Sequence, residues 1–69
     1  MSKLVKQVAD HFGGVITAND TVKFFFGEDE YCLTDGTLYS VCEGQFLPGC
    51  KKVRSLLAVE NFVAERAED

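Results

Sequence analysis

The order of elements in this 69-residue chain predicts an α+β domain: an N-terminal helix, an antiparallel β-meander of three to four strands, and a C-terminal helix packed on the sheet. Three observations carry the prediction. Apolar residues recur at helical spacing at both ends of the chain. The stretch between, VKFFFGEDEYCLTDGTLYSV at residues 22–41, is dense in the aromatic and β-branched residues that strands favour. Short turn signals, Asp35-Gly36 the strongest, divide it at hairpin spacing.

Residues 2–12 read as a helix in which Leu4, Val5, Val8, Ala9 and Phe12 make one apolar stripe, with Lys3, Lys6, Gln7 and Asp10 largely outside it. Ser2 is the expected N-cap, and Gly13-Gly14 the expected stop, because glycine takes the left-handed position after a helix at little cost. Residues 15–18 form a short strand, and Asn19-Asp20 a two-residue hairpin turn into a second strand at 21–26. A four-residue loop, 27–30, leads to a third strand at 31–34. Asp35-Gly36 makes a type I′ turn into a fourth at 37–42. Residues 43–49 read as a loop marked by Pro48-Gly49, with Phe46 and Leu47 anchoring it on the core.

Two readings suit the next segment: a helix beginning near Cys50, or a short edge strand at 51–54 followed by a helix capped by Ser55. The second is preferred, since Leu56, Val59, Phe62 and Val63 then follow at helical spacing behind a good N-cap. Glu60, Glu65, Arg66 and Glu68 fall on the solvated side. The chain has no repeats and no linker, so residues 1–69 are read as one small globular domain.

Turn lengths set register, and register sets faces. The core face is expected to carry Val15, Val22, Phe24, Phe26, Tyr31, Leu33, Leu38 and Cys42 beneath both helices. The opposite face then carries Ile16, Lys23, Phe25, Cys32, Thr34, Thr37, Tyr39 and Val41, with Phe25, Cys32 and Tyr39 in one cross-strand row and Glu28, Asp29 and Glu30 as an acidic loop at its rim. The alternative is one helix on each face. A contiguous apolar patch of several hundred Å² on a monomer is normally a binding surface.

Composition narrows the function. A formal net charge of −4 and a pI near 4.8 argue against a phosphate-binding surface and suit a cytoplasmic protein or one with a basic partner. No apolar run approaches the roughly 20 residues of a membrane span, and the charged N-terminal stretch does not read as a signal peptide. Three cysteines cannot all pair within one chain, so free thiols are expected; a Cys42–Cys50 bridge would require export.

Candidate chemistry is sparse. Cys32, Cys42, Cys50 and His11 lack the short Cys-x₂₋₄-Cys spacing of structural zinc, and no partner lowers a thiol pKa as a nucleophile requires. His11, near a helix end, suits a capping role. Glu28, Asp29 and Glu30 are too few for a calcium loop. Hence no enzyme activity, metal or cofactor is expected. Lys51, Lys52 and Arg54 are the only basic cluster. The helix–meander–helix order, with Gly49-Cys50-Lys51-Lys52 followed by Ala58-Val59 and Phe62, resembles the end of the double-stranded RNA-binding domain. That resemblance implies weak nucleic-acid binding through the three basic residues. It covers only the last quarter of the chain, and the family's Gly-x-Gly-x-Ser-Lys-Lys pattern is absent.

These readings lead to a small acidic protein-binding module, an inhibitor or adaptor that occupies a surface of a larger protein. In size and charge it is similar to small regulatory proteins of phages and mobile elements. Phe25, Tyr39, Val41 and Cys32 are the expected contacts, with Glu28, Asp29 and Glu30 steering association. A homodimer through the same face is the alternative.

Overall fold

A computed structural model describes residues 3–67; the Ser2 cap and Glu68 lie outside them. The elements are α1 (Lys3–Phe12), β1 (Val15–Ala18), β2 (Thr21–Phe26), β3 (Asp29–Thr34), β4 (Thr37–Cys42), β5 (Gln45–Phe46), β6 (Lys51–Lys52) and α2 (Leu56–Ala67). The strands form one antiparallel sheet in the order β1-β2-β3-β4-β5, and β6 pairs with β4 as well. The predicted α+β architecture is present, with the expected edge strand shortened to β6 and one further strand, β5. Both helices cover one face of the sheet: Val5 and Val8 of α1 and Val59, Phe62 and Val63 of α2 share a core with Val22, Phe24, Tyr31, Leu33 and Leu38.

The periodic stripe explains α1, whose buried residues are Val5 and Val8. Its end is a Schellman arrangement: Gly13 has φ 68°, and the Gly14 N–H donates to the Ala9 carbonyl at 2.9 Å. Gly14 then passes so close to β2 that an added Cβ would lie 2.8 Å from the Lys23 carbonyl oxygen and 3.0 Å from Phe24 Cβ. At the other end of the chain, Ser55 is the N-cap of α2, its Oγ accepting from the Ala58 N–H at 3.2 Å. Lys51–Lys52 is a two-residue edge strand against Thr37 and Leu38. Val53, beyond it, is buried, and its N–H donates to the Gly36 carbonyl. His11 donates from Nε2 to Glu60 Oε1 at 3.1 Å, joining α1 to α2 in an exposed contact worth at most about 1 kcal/mol.

The meander departs from the sequence reading at three turns. First, Gly27-Glu28 is a two-residue turn with Gly27 at φ 66°, so β3 begins at Asp29 and the expected loop at 27–30 is halved. Phe24 therefore faces Tyr31 rather than Leu33, and Cys32 faces Lys23 rather than Phe25. The slip is by two residues, so each side chain keeps its face. Second, Asn19-Asp20 connects the expected strands, but neither residue takes positive φ, and the register shifts between Ile16 and Ala18. An ordinary turn splays the strands, and the irregularity at Thr17 absorbs the mismatch. That one-residue shift exchanges the faces of its neighbours: Ile16 packs against the core, and Val15 is exposed. Third, Glu43-Gly44 is a tight turn with both residues at positive φ, 52° and 80°, and it folds β5 back onto β4 within the expected loop at 43–49. Only Asp35-Gly36, at 51° and 74°, matches its expected geometry and register in full.

The core is organised by aromatic rings. Phe12 stacks on Phe24 with centroids 4.6 Å apart, Phe24 on Tyr31 at 5.6 Å, and Tyr31 meets Phe62 edge-on at 6.2 Å. Phe26 adds an edge contact to Phe12 at 6.0 Å. One ladder of rings thus runs from α1 across β2 and β3 to α2.

Two stability measurements check this account. In urea denaturation, Gly14→Ala lowers stability by about 1–3 kcal/mol, because backbone rather than a flexible side chain must give way. Phe24→Ala, at the middle of the ladder, costs about 3–5 kcal/mol. That is a large share of the roughly 5–15 kcal/mol of a small domain.

Candidate functional site

Strand alternation places two rows of side chains on the face away from the helices. Val15, Lys23, Cys32 and Tyr39 form one row across β1–β4, and Phe25, Glu30, Val41 and Phe46 the other across β2–β5. Phe25 is 64 % exposed and Phe46 53 %, while Tyr39 and Val41 are half-buried. Tyr39 and Phe46 lie nearly parallel, 13° apart in plane with centroids 4.4 Å apart. The exposed apolar surface therefore runs from Phe25 over Val41 to the Phe46–Tyr39 stack. Neither helix covers it.

Phe25, Tyr39 and Val41 are thus gathered on one face, as the sequence predicted. Cys32 is not available there: it is 1 % exposed in a central strand. Burial raises its thiol pKa above the ordinary 9.0; nearby Lys23 pulls it down, and Glu30 pushes it further up. The acidic group is also redistributed. Glu28 sits in the turn, whereas Asp29 and Glu30 are strand residues pointing to opposite faces, with Glu30 between Phe25 and Val41. Phe46 and Leu47 do not anchor a loop on the core. Phe46 is directed to the outer face by its pairing with Val41, and Leu47 is exposed. Glu-Gly is a weak hairpin signal because a non-glycine residue must take positive φ, so β5 leaves little trace in the local residues.

Where the Gly27-Glu28 and Glu43-Gly44 turns meet the end of α2, the outer face borders a cleft of about 430 Å³. Phe25, Glu30 and Val41 belong to both. Tyr31 and Ser40, cross-strand neighbours on the core face, line it from beneath. They are 1 % and 7 % exposed, and the Tyr31 hydroxyl and Ser40 Oγ are buried without a hydrogen-bond partner among the described residues. Burial raises the Tyr31 pKa above 10.0; Asp29 pushes the same way and Arg66 opposes. Arg66 is not the solvated helix residue expected from the sequence. Its guanidinium lies 4.9 Å from the centre of the Phe62 ring and donates to the Gly49 carbonyl at 3.1 Å.

Other candidates are dispersed. Among the described residues no group of three or more His, Cys, Asp or Glu side chains converges as a metal site, and Cys32, Cys42 and Cys50 are free thiols. Lys51 and Lys52, being consecutive in a strand, point to opposite faces. They also precede the Ser55 cap instead of opening the helix, which removes the residues that carried the resemblance to the double-stranded RNA-binding domain. Among the described residues no helix is long and apolar enough to cross a membrane. Comparison of the chain with protein-family models, curated proteins and solved structures finds no match in any of the three.

The thiols supply a direct check. Cys42 and Cys50, both exposed, react rapidly with a thiol reagent in the native protein, and Cys32 reacts only on unfolding. The folded state disfavours the Cys32 thiolate and the Tyr31 phenolate. Their contributions to stability are therefore complete below the ordinary pKa values of 9.0 and 10.0 and decline as pH rises through the raised native values. Unfolding free energy falls above about pH 9, and Cys32→Ala makes the early part of that fall shallower.

Proposed function

We propose that this protein is a small binding module that acts by seating the outer face of its sheet on a surface of another protein, as an inhibitor or adaptor. The observation that carries the reading is the exposed aromatic surface of Phe25, Phe46 and Tyr39 around Val41, left bare although both helices are available to the fold. Aromatic side chains bring large contact area with few torsions to freeze, and they dominate binding energy at interfaces. The antiparallel sheet, in which β2, β3 and β4 are each paired on both sides, holds them in place before binding, which reduces the ordering cost of association. Glu30, between Phe25 and Val41, and Glu28 in the neighbouring turn add negative potential to that of a chain with net charge −4, so a basic partner associates faster.

The test is affinity capture from the native host with wild type, Phe25→Asp and Tyr39→Ala, each first shown to retain the wild-type thermal midpoint. A protein captured in near-stoichiometric amount by wild type and lost from both variants supports the reading. Equal capture by all three overturns it. Light scattering on the same samples identifies a second copy of the chain as the occupant, if Phe25→Asp halves the mass.

A further inference from the structure

The cleft beside the aromatic face carries two features that neither the core nor that face requires. Tyr31 and Ser40 each bury a hydroxyl without a partner, and both residues line the cleft. A buried polar group without a hydrogen bond destabilises the fold, and phenylalanine or alanine would avoid the penalty with the same packing. The rim is strongly one-signed: Glu28, Asp29, Glu30 and Glu43 line it, against the single cation Arg66. Arg66 is already engaged by the Gly49 carbonyl and the Phe62 ring.

We propose that this cleft is a socket for one basic side chain, lysine or arginine, presented by the protein that docks on the adjoining sheet face. An ammonium or guanidinium group is all donors, and a free hydroxyl with a carboxylate is the acceptor set it needs. The volume, about 430 Å³, lies within the span of small-ligand sites, roughly 300–1,000 Å³. Phe25 and Val41 form part of both surfaces, so a segment lying across the sheet delivers its side chain round the end of the strands into the cleft, toward Tyr31 and Ser40 on the core face. The apolar walls of Phe25 and Val41 suit the methylene stem of such a side chain, and the acidic rim suits its head. An anionic ligand would meet four carboxylates instead. The inference rests on the reading of the sheet face as a protein-binding surface, but it is tested without the partner.

The whole chain, isotopically labelled, is titrated with N-acetyl-arginine methylamide and N-acetyl-lysine methylamide and followed by amide chemical shifts. N-acetyl-norleucine methylamide and N-acetyl-glutamate methylamide serve as neutral and anionic controls. The expected result is saturable shifts centred on Glu30, Tyr31, Ser40 and Val41 with at least one basic probe, and binding of both controls at least tenfold weaker. Tyr31→Phe and Ser40→Ala should keep or raise the thermal midpoint of the free protein, and each should weaken the basic probe about tenfold, as loss of a hydrogen bond to a charged group does. Glu30→Gln with Glu43→Gln should weaken it further without unfolding the chain. The proposal is overturned if the basic probes shift these amides no more than norleucine does, or if both hydroxyl variants bind as wild type. Such a failure leaves the capture experiment intact. Conversely, equal capture by wild type, Phe25→Asp and Tyr39→Ala, while the probe still binds, removes the docking face and keeps the cation site.

Discussion

The pairing of Phe24 with Tyr31 is the contact on which the rest of the molecule depends. It brings two large rings side by side on adjacent strands, and those rings are the middle of a ladder whose ends, Phe12 and Phe62, lie in the two helices. Aromatic pairs of this kind each contribute about 0.5–1.5 kcal/mol beyond their area burial. Their larger consequence is geometric: a continuous ladder on one face commits both helices to that face. The opposite face is then left with Phe25, Phe46 and Tyr39 and no element of the described chain to cover them.

The same ladder positions the cleft. Its last members are Tyr31 and Phe62; the first lines the cleft, and the second carries the Arg66 guanidinium against its ring. Aromatic packing thus ends in polar groups where the sheet ends. A core optimised for stability alone would finish this edge with apolar atoms, since an unpaired buried hydroxyl weakens folding. Two such hydroxyls in one cleft, beneath an acidic rim, are the kind of local inconsistency that proteins retain at functional sites.

How much of this was legible depended on the parity of each turn. A four-residue loop at 27–30 implies a pairing of β2 and β3 two residues from the observed one, and a slip of two leaves every side chain on its own face. Phe24 and Phe25 therefore divide between the faces as expected, and in the row through Cys32 the Tyr39 pairing holds while Lys23 takes the place of Phe25. At Thr17 the displacement was by one, and Val15 and Ile16 exchanged faces. Glycine at the first position of a two-residue turn was a usable signal for Gly27-Glu28. Nothing comparable marked the irregularity at Thr17, because its cause is the twist of a turn whose residues both keep negative φ. Phe46 and Leu47 turn away from the core for a similar reason: their direction follows from β5, and β5 depends on Glu43 accepting positive φ.

Local chemistry along the chain specifies its short-range features. Helical periodicity, the Gly13-Gly14 stop, the Ser55 cap and the Asp35-Gly36 turn are properties of short segments, and each is in place. The triplet Phe24-Phe25-Phe26 likewise guaranteed an aromatic side chain on each face of the sheet in any register, because strand neighbours alternate. Which face both helices cover, the burial of Cys32 beside the exposure of Phe46, and the meeting of Tyr31, Ser40 and Arg66 at one cleft arise from packing between elements. Those outcomes join residues far apart in the chain through register and ring packing, which depend on how whole elements fit together and leave no mark in any one segment.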